Sequence, residues 1–351
     1  MNDYFIPRLK KIEAVLRENL PDMPYSAQWI ELSFGATDPA VQPAHIKNLT
    51  DPCKNLIASG GKRWRPLLAV LCAEASCADK TAAEKDSLIE QAYALTPLIE
   101  FVHTASLIHD DIEDAADMRR GNPAAHIQYG TDSALNAGSW LYFEAAACLR
   151  ACSPALKTVL YDILMTELRR LHLGQAMDIA WHKDNQKLPS IEEYLAMTAL
   201  KTGTLSSLAA RCGVLAGGGS AEQAQTAAEY AAAIGVGFQI RDDIINLTTG
   251  NAGKKRGDDI VEGKKSLPVL YHLQKNPGDF KTLAAYFAQA AAEGIHSPAV
   301  ENAISVLTSS DALQKAQEKS NRLIETSCAG FQCLFPHTEA AAAIGTLFSA
   351  L

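Results

Sequence analysis

Apolar residues recur along most of the chain with the spacing of one helix face, and groups of glycine or proline with polar neighbours interrupt that pattern. The interruptions predict helix ends near residues 60, 121, 153, 188, 217, 249, 276 and 297. The segments between them run for about 15–30 residues, long enough for stable helices. No alternation of apolar and polar residues bounded by turn signals predicts a strand. The sequence therefore predicts an all-α protein.

The first 45 residues differ in character from the rest of the chain. Residues 1–20 have the pattern of a short amphipathic helix, whereas residues 21–45 contain four prolines and predict an irregular connection. From residue 46 onward no linker-like stretch divides the chain, and no internal repeat is visible. We therefore expect an N-terminal segment, 1–45, followed by a single large helical domain, 46–351.

Composition strengthens the helical prediction and narrows the possible partners. Alanine, the best helix former, supplies 57 of the 351 residues. The net charge of −8 makes nucleic acid or an anionic membrane surface a poor partner. The sequence shows no signal-peptide pattern and no apolar run long enough to span a membrane. Its eight cysteines include no C-x-x-C pair, so we expect no zinc site, no disulfide framework, and reduced thiols in the cytoplasm.

The segment from Glu100 to Asp114 places acidic residues on a mostly apolar helix. At about 100° per residue, Asp114 and His103 lie within roughly 40° of Asp110, so the three share one stripe with Asp111 at its edge. Two carboxylates one turn apart are costly to bury without a positive partner. Magnesium, which often shares its site with phosphate oxygens, would meet that need. The alternative interpretation is a solvated helix end where acidic residues cluster.

A second acidic segment spans residues 235–247. Asp242, Asn246 and Gln239 fall within about 60° of one another on a helix, and Asp243 follows Asp242. Taken alone, this pair would be interpreted as exposed acidic residues after a core helix. Two such helices in a chain without a Cys/His cluster indicate instead a carboxylate-walled cavity, in which several divalent ions bridge to a diphosphate.

Four groups of basic residues could contact phosphate. Each also has an ordinary explanation: a basic helix start, a surface pair, a kink with a solvated lysine, or a solvated charge run. A glycine pair precedes the first group, and the last group lies in a charged loop that could close over a substrate. In chain order the candidates are Lys62 and Arg65; Arg119 and Arg120; Lys201 with Thr202; and Lys254 and Lys264.

Six motifs occur in order across residues 60–268: GGKRWRP, HDDIED, RRG, GQAMD, KTG and FQIRDD. Together they resemble the motifs of the trans-isoprenyl diphosphate synthases, also called polyprenyl synthetases. The stretches IEDAADMRRGNPAAHIQYG and FQIRDDIIN are most similar to geranylgeranyl diphosphate synthases, which share the asparagine at the position of Asn246. The residues before Cys53 and the C-terminal third do not match the family pattern.

The resemblance implies an isoprenoid synthase fold, all-α around a deep central cavity, and a homodimer. It also implies a prenyltransferase that uses several Mg²⁺ ions to ionise an allylic diphosphate, so that isopentenyl diphosphate attacks the resulting carbocation. Geranylgeranyl diphosphate is the expected product. A farnesyl or longer-chain synthase, a class I terpene cyclase and a non-catalytic synthase subunit are the alternatives.

The resemblance further implies roles for individual residues. As magnesium ligands it implies Asp110, Asp111, Asp114, Asp242 and Asp243, and as catalytic residues Asp110, Asp114, Asp242 and Lys201. For the allylic diphosphate it implies Arg119, Lys201, Thr202, Gln239, Lys254 and Lys264. For isopentenyl diphosphate it implies Lys62, Arg65, His103 and Arg120. No side chain stands out as a base, so the departing pyrophosphate would take the proton.

Product length would depend on side chains along the cavity beside the first acidic helix. Ser106 and Ala105 lie four and five positions before the first aspartate, roughly 6–8 Å along the helix, and both are small. Growth would therefore pass this level and stop at a deeper floor, for which Trp140, Tyr142 and Phe143 on the next helix are candidates. The alternative is that these three aromatics are ordinary core residues.

Overall fold

The computed structural model describes residues 3–182, 184, 186–250 and 255–350, and within these residues the chain is almost entirely helical. The described strands are two residues each, β1 (Met118–Arg119) and β2 (Asn122–Pro123), paired antiparallel. The prediction of an all-α protein is confirmed. The helices are α1 (Ile6–Asn19), α2 (Ala27–Phe34), α3 (Pro43–Ala58), α4 (Trp64–Ser76), α5 (Ala82–Ala94), α6 (Thr96–Glu113), α7 (Ala125–Tyr129), α8 (Thr131–Glu144), α9 (Pro154–His182), α10 (Ile191–Thr198), α11 (Thr204–Ala216), α12 (Ala221–Thr248), α13 (Asp258–Val261), α14 (Leu267–Lys275), α15 (Phe280–Glu293), α16 (Pro298–Thr308), α17 (Ala312–Leu334) and α18 (Glu339–Ala350).

The described helices form two compact units, each assembled from separate stretches of the chain. Unit 1 takes its residues from 1–165, 207–228 and 331–351, and unit 2 takes its residues from 166–206 and 229–330. Both units draw on the range 46–351, and unit 1 also includes the N-terminal segment. The division of the chain after residue 45 stays a prediction.

The N-terminal segment is more regular than its prolines predict. The expected amphipathic helix is present as α1, with Ile12 and Leu16 buried. The irregular connection predicted for residues 21–45 is wrong in part, because α2 lies within it. Ser26 caps α2 by accepting a hydrogen bond from the N–H of Trp29, and the prolines flank this helix instead of interrupting it.

Unit 1 is built around α6, which is apolar on most of its circumference. Leu98, Phe101, Val102 and Ile108 are each at most 1% exposed. A helix that is apolar on all sides is typical of the centre of a large helical protein. α6 packs against α4 and α8 and carries the first acidic segment at its C-terminal end.

Two close backbone contacts fix α11 against α4 inside unit 1. An added Cβ on Gly213 would stand 2.1 Å from the carbonyl oxygen of Ala69, and one on Gly217 would stand 2.5 Å from that of Ala73. No side chain fits at such distances, so packing requires glycine at both positions.

The last described helix completes the core of unit 1. α18 packs on α4, and the rings of Trp64 and Phe348 meet edge-on with centroids 5.4 Å apart. Phe348 and Ile344 are fully buried. Unit 1 therefore depends on residues from both ends of the described chain.

The described residues of unit 2 include two apolar clusters. The first includes Tyr194 of α10, Ile240 of α12 and Leu267 of α14, and it supports the second acidic segment. The second gathers α13 to α16 around Phe287. The hydroxyl of Ser320 on α17 donates to the carbonyl of Gly237 at 2.7 Å, which ties α17 to α12.

None of the described helices combines the length and the apolarity needed to cross a membrane. All eight cysteines are free thiols, and five of them are buried.

Candidate functional site

The first acidic cluster lies at the C-terminal end of α6. The helix ends at Glu113, and the N–H of Asp114 still donates to the carbonyl of Asp110 at 2.8 Å. The predicted one-turn spacing of Asp110 and Asp114 is therefore present. Asp110 is partly exposed, whereas Asp111 between them is fully buried.

Arg119 contacts this cluster from the β1–β2 hairpin. Its Nε donates to Oδ1 of Asp111 at 2.7 Å, and its Nη2 donates to the same oxygen. The Nη2 atom also lies 3.7 Å from Oδ2 of Asp110. Burial raises the pKa of Asp111, and the Arg119 guanidinium opposes that shift. Asp111 thus orients a predicted diphosphate-binding arginine, a role that the sequence did not suggest.

The oxygen donors of this cluster suit magnesium. Among the described residues, no three His, Cys, Asp or Glu side chains form a group able to hold a metal ion. Magnesium usually takes one or two carboxylates together with phosphate oxygens and water, so few protein ligands are expected. Within the described structure, Oδ2 of Asp111 is buried and accepts no hydrogen bond, and a nearby cation would satisfy it. The residues therefore fit a magnesium ion that also binds diphosphate.

A group of basic side chains gathers around the glycine turn before α4. Nη1 of Arg65 lies 3.4 Å from Nε2 of His103, and both residues are predicted to bind isopentenyl diphosphate. Burial and the neighbouring Arg65 lower the pKa of His103 well below its usual value, so the ring is neutral and Nε2 can accept from the arginine. Arg120 donates from Nη1 to the carbonyls of Leu56 and Gly60.

Lys62 stands in the same turn and is exposed. Lys62 therefore lies in the turn after α3 and Arg120 contacts that turn, whereas Arg65 lies at the start of α4 and contacts His103.

Arg63 is a residue of this turn to which the sequence assigned no role. It is buried, and its φ of 48° lies in the left-handed region. Its Nε donates to Glu13 at 2.7 Å and its Nη1 donates to Glu100 at 2.7 Å. It also donates to the carbonyls of Gly60 and Ile57, which fixes the turn. The signal in the sequence was Glu100, a carboxylate within the apolar α6 segment, because a buried carboxylate needs a cation nearby.

The second acidic cluster lies on α12 in unit 2. Asp242 is exposed, whereas Asp243 is buried. Both oxygens of Asp243 accept hydrogen bonds, Oδ2 from the hydroxyl of Tyr194 at 2.6 Å and Oδ1 from Nε2 of Gln239 at 3.0 Å. Burial, with the nearby charge of Asp259, raises the pKa of Asp243 to about 7. Gln239 in turn accepts from the hydroxyl of Thr202 at 3.1 Å.

Asn246, which stands where a third aspartate would repeat the first motif, holds the following segment. Its Oδ1 accepts from the N–H of Asp259 at 3.1 Å, and its Nδ2 donates to the carbonyl of Lys255 at 3.4 Å. An aspartate could accept the first bond but could not donate the second. The amide therefore suits a residue that anchors residues 255–259.

Lys201 lies in a π-helical turn, Ala199–Gly203, between α10 and α11. Its Nζ donates to Oδ2 of Asp178 at 2.7 Å. Burial acts to raise the pKa of Asp178, but Lys201 and Lys264 outweigh it, and the pKa falls below its usual value. A Cβ on Gly174 would stand 2.4 Å from the backbone nitrogen of Lys201, which explains the glycine of the GQAMD motif. Asp178 of that motif, to which the sequence assigned no role, thus holds the predicted catalytic lysine.

One further predicted residue, Lys264, follows α13. Nζ of Lys264 pairs with Oε2 of Glu262 at 2.5 Å. Lys254 lies outside the described residues.

The predicted chain-length residues all lie in unit 1. Ala105 is fully buried, and the hydroxyl of Ser106 donates to the carbonyl of His103 at 2.8 Å. Tyr142 is buried, with its ring edge-on to His109 at 5.5 Å. Trp140 stacks on Phe34 of α2 with centroids 6.0 Å apart and lines a surface cavity of about 370 Å³.

Phe143, which the sequence placed beside these two aromatics, is 77% exposed. The interpretation of all three as core residues is therefore wrong for Phe143. Whether Trp140 and Tyr142 bound the growing chain stays a prediction.

Comparison with known proteins identifies relatives over most of the chain. The sequence model of the Polyprenyl synthetase family matches residues 46–307. A geranylgeranyl diphosphate synthase of Methanosarcina mazei is 36% identical over 244 residues, 68% of this chain and 72% of that protein. A nonaprenyl diphosphate synthase of Mycobacterium tuberculosis is 32% identical over 272 residues, 77% of this chain and 76% of that protein.

A solved structure shares the fold. The crystal structure of a geranylgeranyl pyrophosphate synthetase from Pyrococcus horikoshii superposes with a TM-score of 0.80 at 25% identity, over 98% of this chain and 95% of that one.

Proposed function

Because the chain belongs to the polyprenyl synthetase family and is a trans-prenyltransferase, we propose that it condenses isopentenyl diphosphate with allylic diphosphates in a magnesium-dependent reaction. The expected product is all-trans geranylgeranyl diphosphate. We further propose that the enzyme acts in the cytoplasm as a homodimer.

The observation that carries the proposal is the pair of anion-binding features along α6. Asp110 and Asp114, with Arg119 beside them, stand at the C-terminal end of the helix. His103 lies seven residues earlier, about 10 Å along the axis, and contacts Arg65. One end suits a metal-bound diphosphate, and the other suits a diphosphate held by cations alone. Prenyl transfer needs two diphosphates, whereas cyclisation of one substrate needs a single diphosphate site.

The side chains divide the work of binding and charge stabilisation. Asp110, Asp111, Asp114, Asp242 and Asp243 are the proposed metal ligands, and magnesium would stabilise the charge on the departing diphosphate. Arg119, Lys201, Thr202, Gln239, Lys254 and Lys264 would bind the allylic diphosphate. Lys62, Arg65, His103 and Arg120 would hold isopentenyl diphosphate so that its double bond faces the allylic carbocation. The departing pyrophosphate would then take the proton that the new bond releases.

Small residues on α6 support a product longer than farnesyl diphosphate. Ala105 and Ser106 would leave room for a growing chain at a level where large aromatics would stop it. The curated relatives include makers of both geranylgeranyl and nonaprenyl diphosphates, so this argument depends on the side chains of this protein.

A product assay tests the proposal. Purified protein is incubated with MgCl₂, labelled isopentenyl diphosphate and dimethylallyl, geranyl or farnesyl diphosphate, and the dephosphorylated products are sized by chromatography. We expect label in a twenty-carbon alcohol, no product after chelation of magnesium, and at least a 100-fold lower kcat for Asp110→Ala and Asp242→Ala. Asp79→Ala, at an exposed site, is the matched control.

Three outcomes would contradict the proposal. Near-wild-type turnover of both aspartate variants would overturn the metal sites. Cyclic products formed without isopentenyl diphosphate would identify a cyclase. Chains of fifteen or of thirty carbons would overturn the proposed product while leaving the reaction in place.

A further inference from the structure

A chain of side-chain hydrogen bonds in unit 2 leads from a buried tyrosine to two predicted diphosphate-binding residues. Tyr194 of α10 donates its hydroxyl to Oδ2 of Asp243 at 2.6 Å. Nε2 of Gln239 donates to Oδ1 of the same carboxylate at 3.0 Å. The hydroxyl of Thr202, in the π-helical turn, donates to Oε1 of Gln239 at 3.1 Å. Since each link joins two side chains, the position of each depends on the one before it.

Asp243 determines the direction of the whole chain. Both oxygens of Asp243 accept hydrogen bonds, so the amide of Gln239 turns its nitrogen toward Asp243 and its oxygen toward Thr202. An amide nitrogen carries two N–H groups. Asp243 accepts a hydrogen bond from one of them, so the other can donate to a phosphate oxygen. Reversing the amide would bring two acceptors together at Asp243, which is unfavourable.

The tyrosine hydroxyl is not required by packing. Tyr194 is 2% exposed and belongs to an apolar cluster with Met197, Ile240 and Leu267. A phenylalanine ring would fill the same space without a polar atom to satisfy. The hydroxyl gives Asp243 a second hydrogen-bond donor besides Gln239. Two donors fix the plane of the carboxylate, and so determine which oxygen accepts from Gln239.

We propose that Tyr194 is a positioning residue for the allylic diphosphate, acting through Asp243 on Gln239 and Thr202. The inference rests on the proposed function, because Gln239 and Thr202 are phosphate-binding residues only in that reaction. Tyr194 is buried and does not touch substrate.

Binding and kinetics of Tyr194→Phe test this inference. The dissociation constant of an unreactive allylic thiolodiphosphate is measured by calorimetry at saturating magnesium, and KM is measured for each substrate. We expect about a tenfold weaker analogue affinity and a similar rise in the allylic KM, the size of one charge-assisted hydrogen bond. The KM for isopentenyl diphosphate should change less than about twofold, since Tyr194 does not act on the residues proposed for it. Tyr271→Phe, which removes a hydroxyl from the same unit without touching Asp243, is the matched control.

A double-mutant cycle separates positioning from a general structural effect. In a protein that already carries Gln239→Ala, Tyr194→Phe should raise the dissociation constant of the analogue by less than about twofold. The side chain that Tyr194 positions is absent from that protein.

The outcomes distinguish the inference from the function on which it rests. A wild-type protein that neither binds the analogue nor turns over would overturn both. If the wild-type protein is active, and Tyr194→Phe and Tyr271→Phe have the same analogue affinity and allylic KM, the inference alone would be overturned. Equal losses of analogue affinity on Tyr194→Phe, whether Gln239 is present or replaced by alanine, would also overturn it.

Discussion

Replacing Arg63 with methionine tests how a buried guanidinium fixes the turn that carries the isopentenyl diphosphate residues. Arg63→Met removes donors to the carboxylates of Glu13 and Glu100 and to the carbonyls of Gly60 and Ile57. Methionine keeps a flexible apolar stem of similar length, so the main change is loss of the charge and its N–H groups. Glu100, which is 2% exposed, would lose the cation that contacts it.

The expected loss of stability depends on how deeply each of the two carboxylates is buried. Removing one partner of a buried ion pair costs about 3–5 kcal/mol, because the other charge stays buried. The more exposed contact with Glu13 adds at most about 1 kcal/mol. Arg120 and Arg65 also attract the charge of Glu100. We therefore expect the lower end, about 3 kcal/mol, and recovery of most of it in Arg63→Met/Glu100→Met, which leaves no buried charge unpaired.

Urea unfolding followed by circular dichroism gives the free energy of unfolding for each variant. Lys47→Met, which breaks an exposed i,i+4 pair with Asp51, is the matched control and should leave the urea midpoint close to that of wild type. A loss below about 1 kcal/mol for Arg63→Met, or no recovery in the double variant, would refute the reasoning.

Three other predictions follow from the same geometry. Arg65→Ala should raise the KM for isopentenyl diphosphate about tenfold in steady-state assays and leave the allylic KM within about twofold, and the reverse pattern would show that the substrates are wrongly assigned. Ala105→Phe should shorten the product and Trp140→Ala should lengthen it, as measured by chromatography; unchanged products in both variants would show that neither residue bounds the cavity. Burial acts to raise the folded-state pKa of Asp178, but Lys201 and Lys264 together outweigh it and lower the pKa. The ionised form of Asp178 therefore stabilises the fold above the usual pKa of 3.8, and that contribution is lost as the pH falls below it. Urea unfolding at pH 6 and about pH 3.5 should therefore show a smaller drop in stability for Asp178→Asn than for wild type, and equal drops would contradict this.

Features with a local cause could be predicted from the sequence. Helix periodicity alone places Asp110 and Asp114 one turn apart, and the structure retains that spacing through the end of α6. The glycine pair before α4 predicted a break at the position where the turn is found. Ser26 before α2 is also a local signal, since serine caps helix starts, but the four surrounding prolines concealed it.

Features that depend on contacts between distant residues could not be predicted in this way. Arg63 pairs with Glu100, 37 positions away, and Tyr194 pairs with Asp243, 49 positions away. Periodicity shows which face of a helix a residue occupies but not which other helix meets that face. The burial of Asp111 and its pairing with Arg119 arise from the hairpin that folds back onto α6, which no helical pattern indicates.

The packing of α18 on α4 has a consequence for the order of events during protein synthesis. Roughly 280 residues separate Trp64 from Phe348, and at about 5–20 residues per second the ribosome needs on the order of 15–60 s to make them. Until then the apolar surface of α4 that receives Phe348 has no cover. Unit 1 therefore cannot finish folding before α18 is made, and during that interval its exposed apolar surface is prone to aggregate. A premature stop codon before α18 would leave the same surface exposed permanently, so a short C-terminal truncation would yield a chain prone to aggregation.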